Sequence, residues 1–487
     1  MSSTYKYLLF KIFFLFFIFK HEDCAIYFPF KIINQEITNN NLNSPSLMKS
    51  WNYSQIFSEL SIGSPPQKIG VFFVSNIYEL NLFENLCDIS TSYYSKDKST
   101  TYNYIKSIKY IYNKVLNCSI INELIYLYTD KDQKNKITLD GINIIYSDNK
   151  KEDFKPNIYD KKEYEYHPNT CLNIGFRARQ QLILGYDLNI VYQLKHYKIN
   201  NVSVIQGYDF TFQYTNNDEG YLILGEKPHQ FDQKNYHEEQ YLSIGSKNTK
   251  MTSEWYMEFD NIYYTGIRMN DSSKYNSTFY SDNSIKFDMN FGLIEGANNY
   301  EESIKLDFFN NLIDKKICFS EEVNDEHRFY YCDKVKSEDY IKKFFPILNF
   351  CIKQFGFCFS FDYKDLFKEK DDKIYFLIYF RPQEHLFNRF TLGQMLIKKY
   401  SLTFNYDSKL IGFYDKNIKI NTKDDEKAGN DGNKSNVKLI VIFVVCLVVF
   451  IALGFLLGKL IYDKTRKKKA NELIDDYDYT PQDINPS

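Results

Sequence analysis

The sequence has almost no net charge. Its 60 Lys and Arg residues stand against 62 Asp and Glu, a formal balance of −2 over 487 residues. It carries no basic excess of the kind that binds nucleic acid, and no nucleic-acid partner is expected. Histidine is scarce, at 7 residues. His167, His229 and His327 stand without a partner pattern for catalysis and read as surface histidines. No spacing of Cys and His resembles a zinc site, so neither metal nor cofactor is expected. Long amphipathic helices are few; Asp307 to Asp314 and Ser337 to Phe345 are the best short candidates. No repeat recurs at a short fixed period.

Aromatic residues are abundant instead. The 43 Tyr and 42 Phe favour strands over helices. Short runs such as Ile69 to Phe73, Tyr221 to Leu224, Tyr256 to Phe259 and Tyr375 to Phe380 are separated by polar turns, which predicts an all-β fold. The length calls for two or more domains, or one large bilobal unit. Lys150 to Glu165 is charged and Tyr-rich, and reads as an exposed insertion.

Two apolar segments set the compartment. Tyr7 to Phe19 is apolar apart from Lys11, with Lys6 before it and Lys20 behind. Residues 1–25 therefore read as a signal peptide, cleaved near Cys24 or Ala25. Residues 439–458 carry no charge over a length that spans a bilayer. Lys459, Lys464, Arg466, Lys467, Lys468 and Lys469 follow, which places residues 459–487 in the cytosol as a tail. Residues 416–438 are polar and read as a solvated stalk. The expectation is a single-pass type I membrane protein. Its ectodomain would lie in the secretory lumen, at the cell surface or in a secretory organelle.

Such a compartment is oxidising, and disulfides are expected. Of seven ectodomain cysteines, Cys318, Cys332, Cys351 and Cys358 cluster and predict two local pairs. Cys87, Cys118 and Cys171 leave one thiol over. Asn-x-Ser/Thr sequons at Asn117, Asn201 and Asn276 suggest a glycoprotein.

The most informative stretch is Ile62-Gly63-Ser64-Pro65-Pro66-Gln67, followed by the apolar run to Phe73. Locally it is a strand, a Gly/Pro turn and a returning strand. Its wording resembles the first hairpin of the pepsin-like aspartic proteases (peptidase A1-type), where "IGTPPQ" leads into Asp-Thr-Gly-Ser. In that register the catalytic triplet falls on Val74, Ser75 and Asn76. No Asp occurs between Cys24 and Cys87, so a shifted alignment recovers none.

Further matches follow in order. Lys98 to Tyr102 resembles "SSTY", Leu182 to Tyr186 resembles "GILGLGY", and Gly220 to Gly225 resembles "GELTFGG". Glu254 to Ile267 matches a strand pair, with Trp255 and Asp260 in place. Ile285 to Gly296 resembles "AIVDTGTSLLTG"; Asp288 is kept, while Met289 and Asn290 replace Thr and Gly. Thr391-Leu392-Gly393-Gln394 through Gly412-Phe413 resembles the closing segment. Order and spacing over residues 50–415 carry the resemblance. With a C-terminal span, the chain looks most like the membrane-anchored, plasmepsin-like members.

The resemblance implies two lobes, residues 50–240 and 241–415. It also implies a chemistry that needs two carboxylates sharing one proton: one is base toward a water, the other polarises the peptide carbonyl. Val74 can do neither, and Asp288 alone lacks the partner that splits the roles. Asn76 and Asn290 tolerate left-handed angles in place of glycine. Ser75 keeps a hydroxyl that can reach the other loop, whereas Met289 cannot return such a bond. Leu184-Gly185 and Leu392-Gly393 are the expected apolar-Gly partner segments. Ile125 to Leu139 is the best candidate for the flap, with Tyr126 or Tyr128 as its tyrosine. The expected function is a catalytically inactive pseudoprotease that binds a protein or peptide in the interlobe cleft or on loops. An active divergent aspartic endopeptidase, or a structural surface protein or adhesin with an unused cleft, are the alternatives.

Overall fold

The computed structural model describes residues 25–33, 43–52, 54–75, 79–83, 94–112, 114–147, 172–177, 186–246, 255–279, 281–323, 327–381 and 388–419. The two apolar segments, the insertion at 150–165 and the tail lie outside the described residues. Among the described residues no helix is long and apolar enough to cross a membrane.

The first half forms strands β1 (Ile26–Ile33), β2 (Gln55–Ile62), β3 (Gln67–Val74), β4 (Leu80–Phe83), β5 (Asn103–Tyr112), β6 (Lys114–Tyr128), β7 (Lys136–Ser147) and β8 (Leu172–Gly175). The sequence of β3 is apolar almost throughout and is buried from Ile69 to Val74. That continuous pattern suits a strand covered on both faces, and β3 indeed pairs in parallel with β8. Near its end β6 alternates instead: Ile125 and Leu127 are buried, while Tyr126 and Tyr128 are half-exposed.

These strands belong to one 13-stranded sheet in the order β5-β6-β7-β4-β8-β3-β2-β1, with β6 also touching β1 and β2. The sheet continues through Glu219–Leu224, Asp209–Tyr214, Thr403–Asn405 and Leu410–Tyr414 to Tyr241–Gly245. Strands from both halves of the chain thus share it. A nine-stranded and a four-stranded sheet make up the rest of the second half.

The halves repeat one motif. β3 pairs in parallel with β8, which pairs antiparallel with β4, which pairs in parallel with β7. In the second half Ser284–Phe287 pairs in parallel with Thr391–Leu392. The latter pairs antiparallel with Ile294–Gly296, which pairs in parallel with Ile378–Phe380. Aromatic rings fill the space between the motifs. Phe176 lies 4.5 Å from Phe210, and Trp255 lies 5.1 Å from Phe404, centroid to centroid. The Trp255 indole N–H donates to the carbonyl of Phe176 at 2.7 Å, so its one polar atom is satisfied inside the core.

Several expectations are refined. The apolar-Gly segment beside β3 is Ile174-Gly175; Leu184 and Gly185 lie outside the described residues. The helix foreseen at Asp307 begins earlier, as Asn298–Ile304, a π-helical turn Lys305–Phe309, and Asn310–Asp314. The second helix spans Lys334–Phe344, opened by the Asp333 carboxylate accepting from the Lys336 amide. Cys318–Cys332 and Cys351–Cys358 are disulfides, as the clustering predicts. Cys118 is buried, and Cys87 and Cys171 lie outside the described residues. Asn201 and Asn276 are exposed. His229 and His327 are half-buried rather than surface residues. His229 shares a hydrogen bond with the Tyr414 hydroxyl, and His327 accepts one from Arg381.

Candidate functional site

The repeated motif fixes which residues are equivalent. Phe73 pairs with Ile174 in one half and Phe287 with Leu392 in the other. The next residue in each half is Val74 and Asp288. One position thus carries an apolar side chain and its counterpart a carboxylate.

Val74 is buried with Phe57 and Phe72. The two rings meet edge-on across β2 and β3, 5.2 Å apart. Gly70 makes room for them, because a Cβ there would lie 2.7 Å from the Phe57 ring. A carboxylate at position 74 would face hydrocarbon, which disfavours its charged form.

Asp288 is buried too, but among polar partners. Its Oδ1 accepts from the Ser75 hydroxyl at 2.6 Å and from the Asn290 amide at 3.0 Å. Its Oδ2 lies 3.3 Å from the Lys286 ammonium. Lys286 sits two residues before Asp288, and alternation along a strand puts both on one face. The equivalent pair in the first half is Phe72 and Val74. One half therefore presents an ion pair where the other presents two apolar side chains.

The turn after Asp288 is held from behind. Gln394 is buried, and its amide donates to the carbonyls of Ser54 at 2.9 Å and Met289 at 3.0 Å. A Cβ on Gly393 would come within 2.2 Å of the Phe291 carbonyl, so only glycine lets the two segments cross. The Gly292 amide donates to the Asn52 carbonyl at 2.8 Å, which ties the helix Ser44–Asn52 to this turn. Asn290 does not adopt a positive φ; the bond from its amide to Asp288 closes the turn. Met289 points into the main core and returns no bond. Asn76 lies outside the described residues.

Tyr126 and Tyr128 lie near the end of β6. Tyr126 pairs with Ser61 of β2, and its ring lies 3.9 Å from the Lys136 ammonium. Tyr128 pairs with Tyr27 of β1. Neither shares a partner with Asp288. The chain makes two successive hairpins here, β5–β6 and β6–β7, and Ile125 to Leu139 is the second.

Sequence reasoning assigned no role to Lys286. The available signal was a charged residue between Ile285 and Phe287 in a strand that otherwise reads as core. It also left Gln394 as one letter of a motif rather than a buried bridge.

The arrangement supports one carboxylate held by a cation and two donors. Its two oxygens are thus met by a hydroxyl, a backbone amide and an ammonium. Such a carboxylate can accept hydrogen bonds, but among the described residues it has no paired acid to polarise a carbonyl while it acts as base.

No family model and no curated protein sequence matches the chain. Solved structures do match it. Basic 7S globulin from soybean aligns with TM-score 0.51 and 12% identity, over 80% of this chain and 94% of that one. Conglutin gamma, a basic 7S globulin from lupine seeds, aligns with TM-score 0.53 and 10% identity, over 81% and 95%. At such identities the likeness is one of fold: a mostly β, bilobal, pepsin-like architecture.

Proposed function

We propose that the chain is a membrane-anchored, plasmepsin-like pseudoprotease whose ectodomain binds a protein or peptide partner without cleaving it. The observation that carries this reading is Val74, packed with Phe57 and Phe72 at the position equivalent to Asp288. Peptide hydrolysis by this fold needs two carboxylates of split acid and base roles, and one is replaced by hydrocarbon. Binding survives such a loss, because recognition of a chain and attack on it are separable. Residues 439–458 supply the anchor in this reading.

The test is capture from a random peptide library by the full-length protein in detergent micelles, with recovered peptides sequenced by mass spectrometry. Intact peptides enriched over a micelle-only control are expected. Recovery of paired cleavage products, lost in Asp288→Asn, would support the divergent endopeptidase instead. Recovery of nothing above the control would leave the cleft unused.

A further inference from the structure

A cavity of about 540 Å3 opens between the strand Phe367–Lys370, the helix Gln394–Tyr400 and the C-terminal turn of the helix Ser44–Asn52. Its size lies in the range of small-ligand sites. Four lysines line it, Lys364, Lys368, Lys398 and Lys399, against two aspartates, Asp218 and Asp365. This local excess of positive charge stands out in a chain of net charge −2.

The lysines are not equally committed. Lys399 is neutralised by Asp365 at 2.5 Å and also donates to the Ser360 carbonyl. Lys368 and Lys398 form no ion pair among the described residues. The Lys368 ammonium lies 4.5 Å from the centroid of the Trp51 indole. Lys398 donates to the neutral amide oxygen of Asn217 at 2.6 Å. Both side chains are exposed, with their stems against the cavity lining. The surrounding protein nonetheless pushes both ammonium groups below the ordinary lysine range, chiefly by burial, with Asp218 opposing the shift. A cation in that setting gains from an added anion. The same cavity is lined by apolar side chains, Trp51, Leu293, Phe367 and Leu377, with Trp51 directly beside the Lys368 ammonium.

We propose that this cavity binds an organic anion, a phosphate or sulfate ester, with its charged head between Lys368 and Lys398 and its apolar body on Trp51. The ammonium groups and the apolar side chains next to them match the two ends of such a molecule.

The experiment is isothermal titration calorimetry on the full-length protein in detergent. The probes are 1-naphthyl phosphate, 1-naphthyl sulfate, 1-naphthol and inorganic phosphate. Saturable one-to-one binding of at least one ester is expected, about tenfold or more tighter than naphthol and inorganic phosphate. Preference between the two esters identifies which head group the site serves. Lys368→Gln and Lys398→Gln should each weaken binding about tenfold at unchanged melting temperature, while Lys68→Gln leaves it unchanged. The proposal is overturned if neither ester saturates, if naphthol binds as tightly, or if both glutamine variants keep full affinity.

Discussion

The Ser75 hydroxyl donates to Asp288 Oδ1 at 2.6 Å, joining two turns that lie 213 residues apart in the chain. Both residues are buried. The bond crosses between the two repeated motifs, at an oxygen that also accepts from the Asn290 amide. Replacing Ser75 by Ala leaves that lone pair without its donor. A loss of about 1–3 kcal/mol is expected, read as a lower urea midpoint at unchanged slope.

Lys286 and Asp288 should be coupled. Lys286→Met leaves a buried carboxylate without its cation, and a loss of about 3 kcal/mol is expected. Asp288→Asn added to Lys286→Met removes the uncompensated charge, so the double variant should be more stable than Lys286→Met alone. A double-mutant cycle by urea unfolding gives the coupling. Additive losses would mean that the two charges do not interact in solution.

Lys409 predicts a pH dependence. It occupies the turn before Leu410–Tyr414, and its buried ammonium has no hydrogen-bond acceptor among the described residues. Burial pushes its pKa down to about 8, with Asp407 opposing. In the unfolded chain a lysine titrates near about 10.4. Between these values the unfolded state binds more protons, so the Lys409 contribution makes stability rise with pH from about 8 to about 10.4. Below the folded value the group destabilises by a constant amount. Lys409→Met should remove its part of the rise and stabilise the protein at pH 7. An unchanged pH profile in that variant would contradict the assignment.

Much of this was legible in the sequence, for physical reasons. The Gly/Pro turn at Gly63 to Pro66 and the continuous apolar run of β3 announce a hairpin feeding a covered parallel strand. The missing acid could be seen because position 74 follows that turn at a fixed distance. The reach of Ser75 was expected from its hydroxyl alone. Three features were hidden. Ile174-Gly175 and Leu184-Gly185 both fit an apolar-Gly pattern, and only strand pairing shows that the first lies beside β3. Which of the successive hairpins β5–β6 and β6–β7 would serve as a flap is not legible either, because hydropathy does not order them in space. Lys286 was hidden because a lysine in a core strand is read as an irregularity until its partner is known.

The most direct measurement is peptide turnover by the purified full-length protein between pH 3 and 7, using a fluorogenic peptide library, with Asp288→Asn assayed alongside. The single-carboxylate account predicts rates at the uncatalysed background for both proteins at every pH. Turnover above background that disappears in Asp288→Asn would contradict it, since Asp288 would then be working with an acid other than residue 74.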